Sequence, residues 1–348
     1  MEFNREIHLG GKRIGNGRMP YIIAEMACAH NGDHAQAMEL TRISAEAGAD
    51  AVQLQFFVPE HTVTPTHEVF DVLQQISFDK EGWRKVFDYG KSLGLDVWVC
   101  TYDVPSVEWS AEFGADGIKL NSADLSNPDV LRAVGRTKIP FTLGTGASTP
   151  TEIQRGLATL HDAGARNAVL MHGVQNFPTK CENLNVSRVQ LLQRLFPGLP
   201  VGYADHTDGD DPFGKAVDLL AVGMGVAVLE KHITLSRANK GIDYQAALEP
   251  DEFKTYVERM RMGHQAWGQP EIKPLTADDL RYRKFQKKSI VAAKDLAAGT
   301  VLTREHVLFL RNAEPGMAPI DWEALEGKAL LGDLAQYDNI LPNHLKPA

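Results

Sequence analysis

Polar and titratable side chains stand at the ends of short apolar runs, where a buried strand would be expected to stay apolar. Glu25 falls in YIIAEM with His30 just after it, Gln53 and Gln55 lie in AVQLQF, and Thr101 follows VWVC. Lys119, Asn121 and Ser122 lie in or just after GIKLN, Thr145 in FTLGTG, and His172 near the end of NAVLMHG. Asp205 and His206 close VGYADH, while Glu230, Lys231 and His232 close VAVLEKH. A buried polar group without a partner is costly, so this density marks a lined site. His206 and His232, each beside a carboxylate, are the pair best suited to a metal. Two imidazoles with water or Glu25 suit Mn²⁺, Co²⁺ or Mg²⁺ better than a closed zinc site. Lys119, in mid-strand, needs an anion: a phosphate or carboxylate of a ligand, or a salt bridge to Asp205 or Glu25. Ser122 and Thr145 would supply hydroxyl donors nearby. A hydrolytic triad of Ser122, His172 and Asp124 is disfavoured, because the chain has no GxSxG elbow.

The elements that must hold these residues repeat. A helix-like segment ends in glycine and a short strand follows: Gly48 before AVQLQF, Gly94 before VWVC, Gly114 before GIKLN, Gly164 before NAVLMHG, and Gly225 before VAVLEKH. Glycine suits a left-handed helix end because it has no Cβ to clash. With YIIAEM, FTLGTG and VGYADH this makes eight strands, apolar enough to be parallel and buried on both faces. Thr149-Pro150-Thr151-Glu152 reads as a capping box, and Asp33, Asn127 and Asp211 as further helix starts. Strands alternating with helices over this length predict an α/β fold, a (β/α)8 TIM barrel, with its chemistry at the C-terminal strand ends. An open doubly wound sheet is the alternative, but no GxGxxG follows the first strand. Residues 7–18 read as a hairpin turning at Gly10-Gly11, a plug under the barrel. The expected division is a barrel with its hairpin over 1–270, a polar linker over 271–288 that includes the basic run RYRKFQKK, and a small β-rich module over 289–348.

Composition agrees with a folded enzyme-sized chain. Of 348 residues 43% are hydrophobic and 23% charged, which excludes disorder and fibrous repeats. The net charge of −9 argues against nucleic acid or an anionic membrane as partner. The longest apolar stretch, Leu219–Leu229, is far short of the roughly 20 residues of a membrane span. The N-terminus lacks the apolar segment of a secretion signal, and the three cysteines show no CxxC spacing, so a soluble cytoplasmic protein without disulfides or thiolate zinc is expected.

In order along the chain stand IIAEMACAHNG, QLQ, KLNSAD, LGTGAS, MHGVQNFPT, ADHT, LEKHIT and SIVAAKDLAAGTVLT. This set resembles the sialic acid (nonulosonate) synthase family over essentially the whole length. The resemblance implies a metal-dependent barrel joined to an antifreeze-like SAF (β-clip) domain, in a domain-swapped homodimer. It implies condensation of phosphoenolpyruvate with an open-chain N-acyl amino sugar, N-acetylmannosamine or a modified hexose, to a nonulosonic acid and phosphate. It further implies His206 and His232 as metal ligands, with Mn²⁺ ahead of Mg²⁺ or Co²⁺, and Glu25, Lys119 and the partner-contributed Arg311 as catalytic groups. Gln53, Gln55, Thr101, Ser122, Thr145, Gln175, Phe177 and Asp243 fall at substrate-binding positions.

The chain departs from the family pattern where phosphate is held. Gln53 stands where lysine is usual, Gly144 and Ala204 where serine is usual, Ala123-Asp124 where Gly-Glu is usual, and Gln175 and Phe177 where asparagine and tyrosine are usual. Each lost charged hydrogen bond costs about 1.5–3 kcal/mol unless replaced, and Arg237 or Lys240 are the cations that could replace it. A barrel aldolase or lyase with another keto-acid donor and a non-catalytic sugar-binding protein are the competing readings.

Overall fold

The repeated strand and helix segments close into a ring. In the computed structural model, which describes residues 2–268, 271 and 273–346, an antiparallel pair comes first, β1 (Ile7–Leu9) and β2 (Lys12–Ile14). Eight strands follow: β3 (Tyr21–Glu25), β4 (Ala51–Phe56), β5 (Asp96–Thr101), β6 (Gly117–Leu120), β7 (Phe141–Gly144), β8 (Ala168–His172), β9 (Val201–Asp205) and β10 (Val228–His232). Each pairs in parallel with the next, and β10 pairs with β3, so the barrel is closed. The expected strand segments, the barrel and the hairpin are all present. The expected left-handed glycines are too, with positive φ at Gly48, Gly94, Gly114, Gly164 and Gly225.

Period two sorts the strands into two cores. Ile22, Ala24, Val52, Leu54, Val97 and Val99 face outward and pack with the helices. Tyr21, Ile23, Ala51, Trp98, Val169, Met171, Ala204 and Val228 face the lower interior, where Ile7 and Ile14 of the hairpin join them. The hairpin therefore plugs the barrel floor. Trp98 takes the space above Gly117, where a Cβ would collide with its ring.

The helix starts follow local chemistry. Asp33 accepts from the amides of Ala35 and Gln36, Asn127 from those of Asp129 and Val130, and Thr149 with Glu152 forms the capping box. Asp211 does not begin a helix. Its carboxylate accepts from the Phe213 amide in a turn, and the helix starts only at Asp218–Gly223. The packing there centres on Asp218, which is buried and accepts from Tyr256 Oη.

The chain divides into two units, Met1–Gln269 and Pro270–Ala348. The boundary expected at 270 falls on residues outside the described set, as do residues 347 and 348 of the expected module. The stretch expected to be a linker holds a helix, Ala277–Gln286, begun by a capping box of Thr276 with Asp279. In the second unit β11 (Ser289–Ala292) pairs antiparallel with β12 (Val307–Leu310). Its core gathers Ile290, Leu296, Leu302, Trp322, Leu330 and Ile340. Among the described residues no helix is long and apolar enough to cross a membrane.

Candidate functional site

Strand register assembles the site. It places His232 beside Glu25, Glu25 beside Gln53, and Cys100 beside Lys119. These residues continue the inward parity of the apolar floor, so the interior turns polar one step above Ile23, Ala51, Trp98 and Val228.

Lys119 holds two carboxylates together. Its ammonium donates to Glu25 Oε2 at 3.1 Å and to Glu230 Oε1 at 2.5 Å. The Gln53 amide donates to Glu25 Oε2 and also to Glu230 Oε2, while Gln55 Nε2 reaches Glu25 Oε1 at 3.4 Å. The Ala27 amide donates to Glu25 Oε1 at 2.7 Å. Burial opposes charge on Lys119, but Glu230 and Glu25 outweigh it and raise its pKa, so the ammonium persists. Of the two salt bridges expected, the one to Glu25 forms. The one to Asp205 does not, because Asp205 faces outward and pairs with Lys231.

Above this pair lies a cluster with the groups and spacing to hold a metal ion. His206, Glu230 and His232 each bring a ligand atom within 4.8 Å of the others. The two imidazoles stand 5.1 Å apart at 87°. His206 Nδ1 lies 2.6 Å from the Val174 carbonyl oxygen; assigned as a donor there, it leaves the other ring nitrogen free to ligate. Burial lowers the pKa of both histidines, and for His232 the neighbouring His206 and Lys119 lower it further. Both imidazoles are therefore neutral, the ligating form. Two neutral imidazoles and a carboxylate fit a divalent cation. The carboxylate in this cluster is Glu230; Glu25, expected there as the alternative to water, lies outside it. The spacing E-K-H held the signal, since residues two apart share one face of a strand.

A cavity of about 440 Å³ opens over these groups. Of the residues singled out from the sequence, Gln55, Lys119, Asn121, Gln175, Phe177, His206, His232 and Asp243 line it. Phe177 packs against both His206 and His232, with ring centroids at 4.4 and 5.6 Å. The Asp243 carboxyl is pushed up to about 6, by burial and then by the nearby Glu25 carboxylate, against Lys119. Cys28, Phe57, Val69, Leu73, Tyr102 and Ile242 also line the cavity. They lie in loops or a short helix, where no periodicity announced them.

Other residues are placed elsewhere. Glu25 and Gln53 are buried beneath the cavity rather than on its wall. Thr101 shares the parity of Val97 and Val99, on the helix side of β5. Thr145 Oγ1 donates to the Met171 carbonyl, and Ser122 is half-buried next to the cavity residue Asn121. A Cβ at Gly144 would lie 2.9 Å from the Ser122 amide nitrogen, so the Ser122 turn sits where a serine at 144 would reach. Arg237 is committed to Asp210 and Glu252 and replaces no missing cation. Lys240 is exposed and outside the cavity wall. His30 and His172 serve structure: the first accepts from the Gly32 amide, the second hydrogen-bonds the Leu184 carbonyl. Arg311 follows β12 in the second unit and is exposed.

A model of the NeuB family matches residues 40–272, and one of the SAF domain matches residues 287–346. The chain is 29% identical to the N,N'-diacetyllegionaminic acid synthase of Legionella pneumophila, across 99% of this chain and 100% of that one. It is 27% identical to the N-acetylneuraminate-9-phosphate synthase of Homo sapiens, across 95% and 94%. Among solved structures it is similar to an N-acetylneuraminic acid (sialic acid) synthetase from Leptospira borgpetersenii in complex with citrate. That match has a TM-score of 0.74 and 26% identity, and covers 81% of this chain and 97% of the other.

Proposed function

This chain belongs to the NeuB family, and on that ground we propose that it is a carbon–carbon bond-forming transferase. It joins phosphoenolpyruvate to an open-chain N-acyl amino sugar, yielding a nonulosonic acid and phosphate. The observation that carries the reading is the cluster of His206, Glu230 and His232 beside Lys119, with Lys119 and both histidines lining one cavity.

A divalent cation held by His206, His232 and Glu230, Mn²⁺ before Mg²⁺ or Co²⁺, would supply Lewis-acid polarisation of the acceptor aldehyde. The remaining work falls to the chain. Lys119 has three N–H donors, two of them on Glu25 and Glu230, and meets the donor's negative charge with the third. The donor's C3 bonds to the aldehyde carbon, whose oxygen takes up a proton. Water adds at the electron-poor C2; one of its protons is the one the aldehyde oxygen takes up and the other leaves with the phosphate. Glu25, which Gln53, Gln55 and the Ala27 amide hold in place, fixes the Lys119 ammonium against the donor. The tetrahedral C2 then expels phosphate and becomes the 2-keto group. Gln175 and Phe177 flank the acceptor, and Asp243 accepts from its hydroxyls.

Arg311 is assigned to the site of a second copy, in a homodimer. Support comes from the helix Ala277–Gln286, whose Leu280, Tyr282 and Phe285 are 56%, 61% and 57% exposed and suit a partner surface. A second reading, an aldolase using a keto acid without phosphate, draws on the cavity's single lysine and on the commitment of Arg237.

The test measures phosphate release from phosphoenolpyruvate with Mn²⁺ against N-acetylmannosamine, its 6-phosphate and di-N-acylated hexoses. Acceptor-dependent release that a chelator abolishes is the expected result. Product formation from pyruvate, with no phosphate released from phosphoenolpyruvate, would transfer the assignment to the aldolase.

A further inference from the structure

The chain between β10 and the helix Pro250–Trp267 is a long loop that brings Asp243 to the cavity. Beside it Ile242 packs with Cys28, Phe57, Leu73 and Tyr102 as the cavity's apolar wall. Asp243 stands there in left-handed backbone, at φ 60° and ψ 11°. Lys240, three residues earlier, is left-handed too, at φ 49°. A residue with a Cβ keeps that conformation only where its surroundings over-determine it. The flanking turns Arg237–Asn239 and Tyr244–Ala246 are only three residues long each, so the constraint must come from elsewhere.

Arg237 supplies it. Its Nε and Nη2 donate to Asp210 Oδ1 at 3.1 and 2.8 Å, and Nη2 donates also to Glu252 Oε1 at 3.0 Å. Nη1 donates to Glu252 Oε2 and, at 3.1 Å, to the Ala247 carbonyl. The Arg237 amide donates to Glu249 Oε1 at 2.8 Å. One residue thus joins the loop's first turn to its last residues, to the start of the following helix and to the turn after β9. That turn comes close enough for the Gly209 amide to donate to the Gln245 carbonyl at 2.7 Å, and a Cβ at Gly209 would collide with the Ala247 carbonyl oxygen. Arg237 itself lies outside the cavity wall, and its charge is committed to Asp210 and Glu252.

Resting on the condensation proposed above, we propose that Arg237 is a positioning residue for the acceptor. It touches neither substrate and acts through Asp243, whose carboxylate it holds at the cavity by fixing the loop 234–249. The planar fork matters as much as the charge. Five N–H groups in one plane reach two carboxylates and a carbonyl at once, whereas a lysine ammonium offers three donors at a single point.

The test is a double-variant cycle read by phosphate release from phosphoenolpyruvate with Mn²⁺. The acceptor is whichever of N-acetylmannosamine, its 6-phosphate and the di-N-acylated hexoses gives the highest kcat/KM. Arg237→Lys is expected to raise the acceptor KM about tenfold while the donor KM stays. In an Asp243→Asn background the same change is expected to add no more than about twofold. An equal rise in both backgrounds, or a matching rise in the donor KM, overturns the inference. Hydrogen exchange reads the clamp without substrate. Amides of 236–247 are expected to exchange about tenfold faster in Arg237→Lys, while those of the barrel strands keep their rates. Unchanged exchange in the loop, or an equal rise in the strands, overturns the inference. If Arg237→Lys does not fold, Asp210→Ala, at a carboxylate 78% exposed, carries both measurements with the same expected pattern. If no sugar releases phosphate, the condensation falls, and exchange alone decides whether Arg237 holds the loop.

Discussion

Lys231 and Asp205 form an ion pair with both side chains wholly buried, and each is the immediate chain neighbour of a histidine of the candidate metal cluster. The β9–β10 register sets them opposite each other on the outer face of the barrel wall. Lys231 Nζ also donates to Thr207 Oγ1 at 3.3 Å and lies 5.8 Å from the Tyr256 ring centroid, and Asp205 accepts from Tyr203 Oη at 3.0 Å. The pair ties together the strand ends that present His206, Glu230 and His232 to the interior. Removing one partner leaves a buried charge uncompensated, so Lys231→Met is expected to cost about 3–5 kcal/mol in denaturant unfolding. The double variant Asp205→Leu with Lys231→Met should recover most of that loss. A double variant as unstable as the single one would show that packing, not charge, decides the site.

The metal cluster predicts a different signature for its own members. Glu230→Gln and His232→Ala should each weaken Mn²⁺ binding by more than the 10–100-fold typical of outer partners, read by calorimetry. Activity should fall with occupancy and return only at high metal concentration. Glu25→Gln should leave metal affinity within about threefold while turnover collapses, because Glu25 lies outside the cluster. Equal metal loss in all three variants would return Glu25 to the ligand set.

Asp243 gives the site a pH dependence. With its carboxyl raised to about 6, the deprotonated form that accepts sugar hydroxyls grows in as pH rises through that value. The acceptor KM is therefore expected to fall between pH 5 and 7 by up to about tenfold. Asp243→Asn should flatten that step. A variant profile that still falls across this range would assign the titration to another group.

Glu252 predicts acid behaviour of the fold. Burial alone would raise its carboxyl, but hydrogen bonds from Arg237 and Lys215 overcome this and hold it at about 2. A depressed carboxyl contributes stability above its unfolded pKa, about 4.3, and loses it as pH falls towards 2. Arg237→Ala should cost about 1.5–3 kcal/mol near pH 7, a deficit that shrinks below pH 4. A deficit constant down to pH 2.5 would remove this pair from the acid response.

The departures from the family pattern can be probed in reverse. Gln53→Lys would set an ammonium between Glu25 and Glu230, where Gln53 now donates. Lys119 would be released for the donor, and the KM of phosphoenolpyruvate should fall about tenfold. Gly144→Ser should instead destabilise by about 1–3 kcal/mol, because its Cβ would press on the Ser122 backbone. A neutral Gly144→Ser would mean that the turn yields readily.

Much of this was legible in the sequence, for reasons particular residues make plain. Buried parallel strands must be apolar on both faces, so the polar exceptions at Glu25, Lys119, His206 and His232 stood out against their runs. Period two also held the partnership of Glu230 with His232, yet a carboxylate next to a lysine reads as a local pair until the strand separates their faces. Thr101 and Thr145 looked like ligand contacts because position along a strand was clear while the direction of each hydroxyl was not. The helix Ala277–Gln286 escaped notice because it buries no face, and a helix without an apolar stripe has no period to read. Arg237 looked free because its partner Glu252 lies 15 residues away on the helix Pro250–Trp267.

The hairpin under the barrel has a kinetic consequence. With Ile7 and Ile14 sealing the floor, both substrates and both products pass through one mouth. A ligand seated against Lys119 cannot leave beneath one that rests on the apolar wall above it. With the proposed donor seated deeper, it is expected to bind first, and its rate of escape is expected to fall as the acceptor saturates. The barrel's closed base makes the second substrate the stopper for the first.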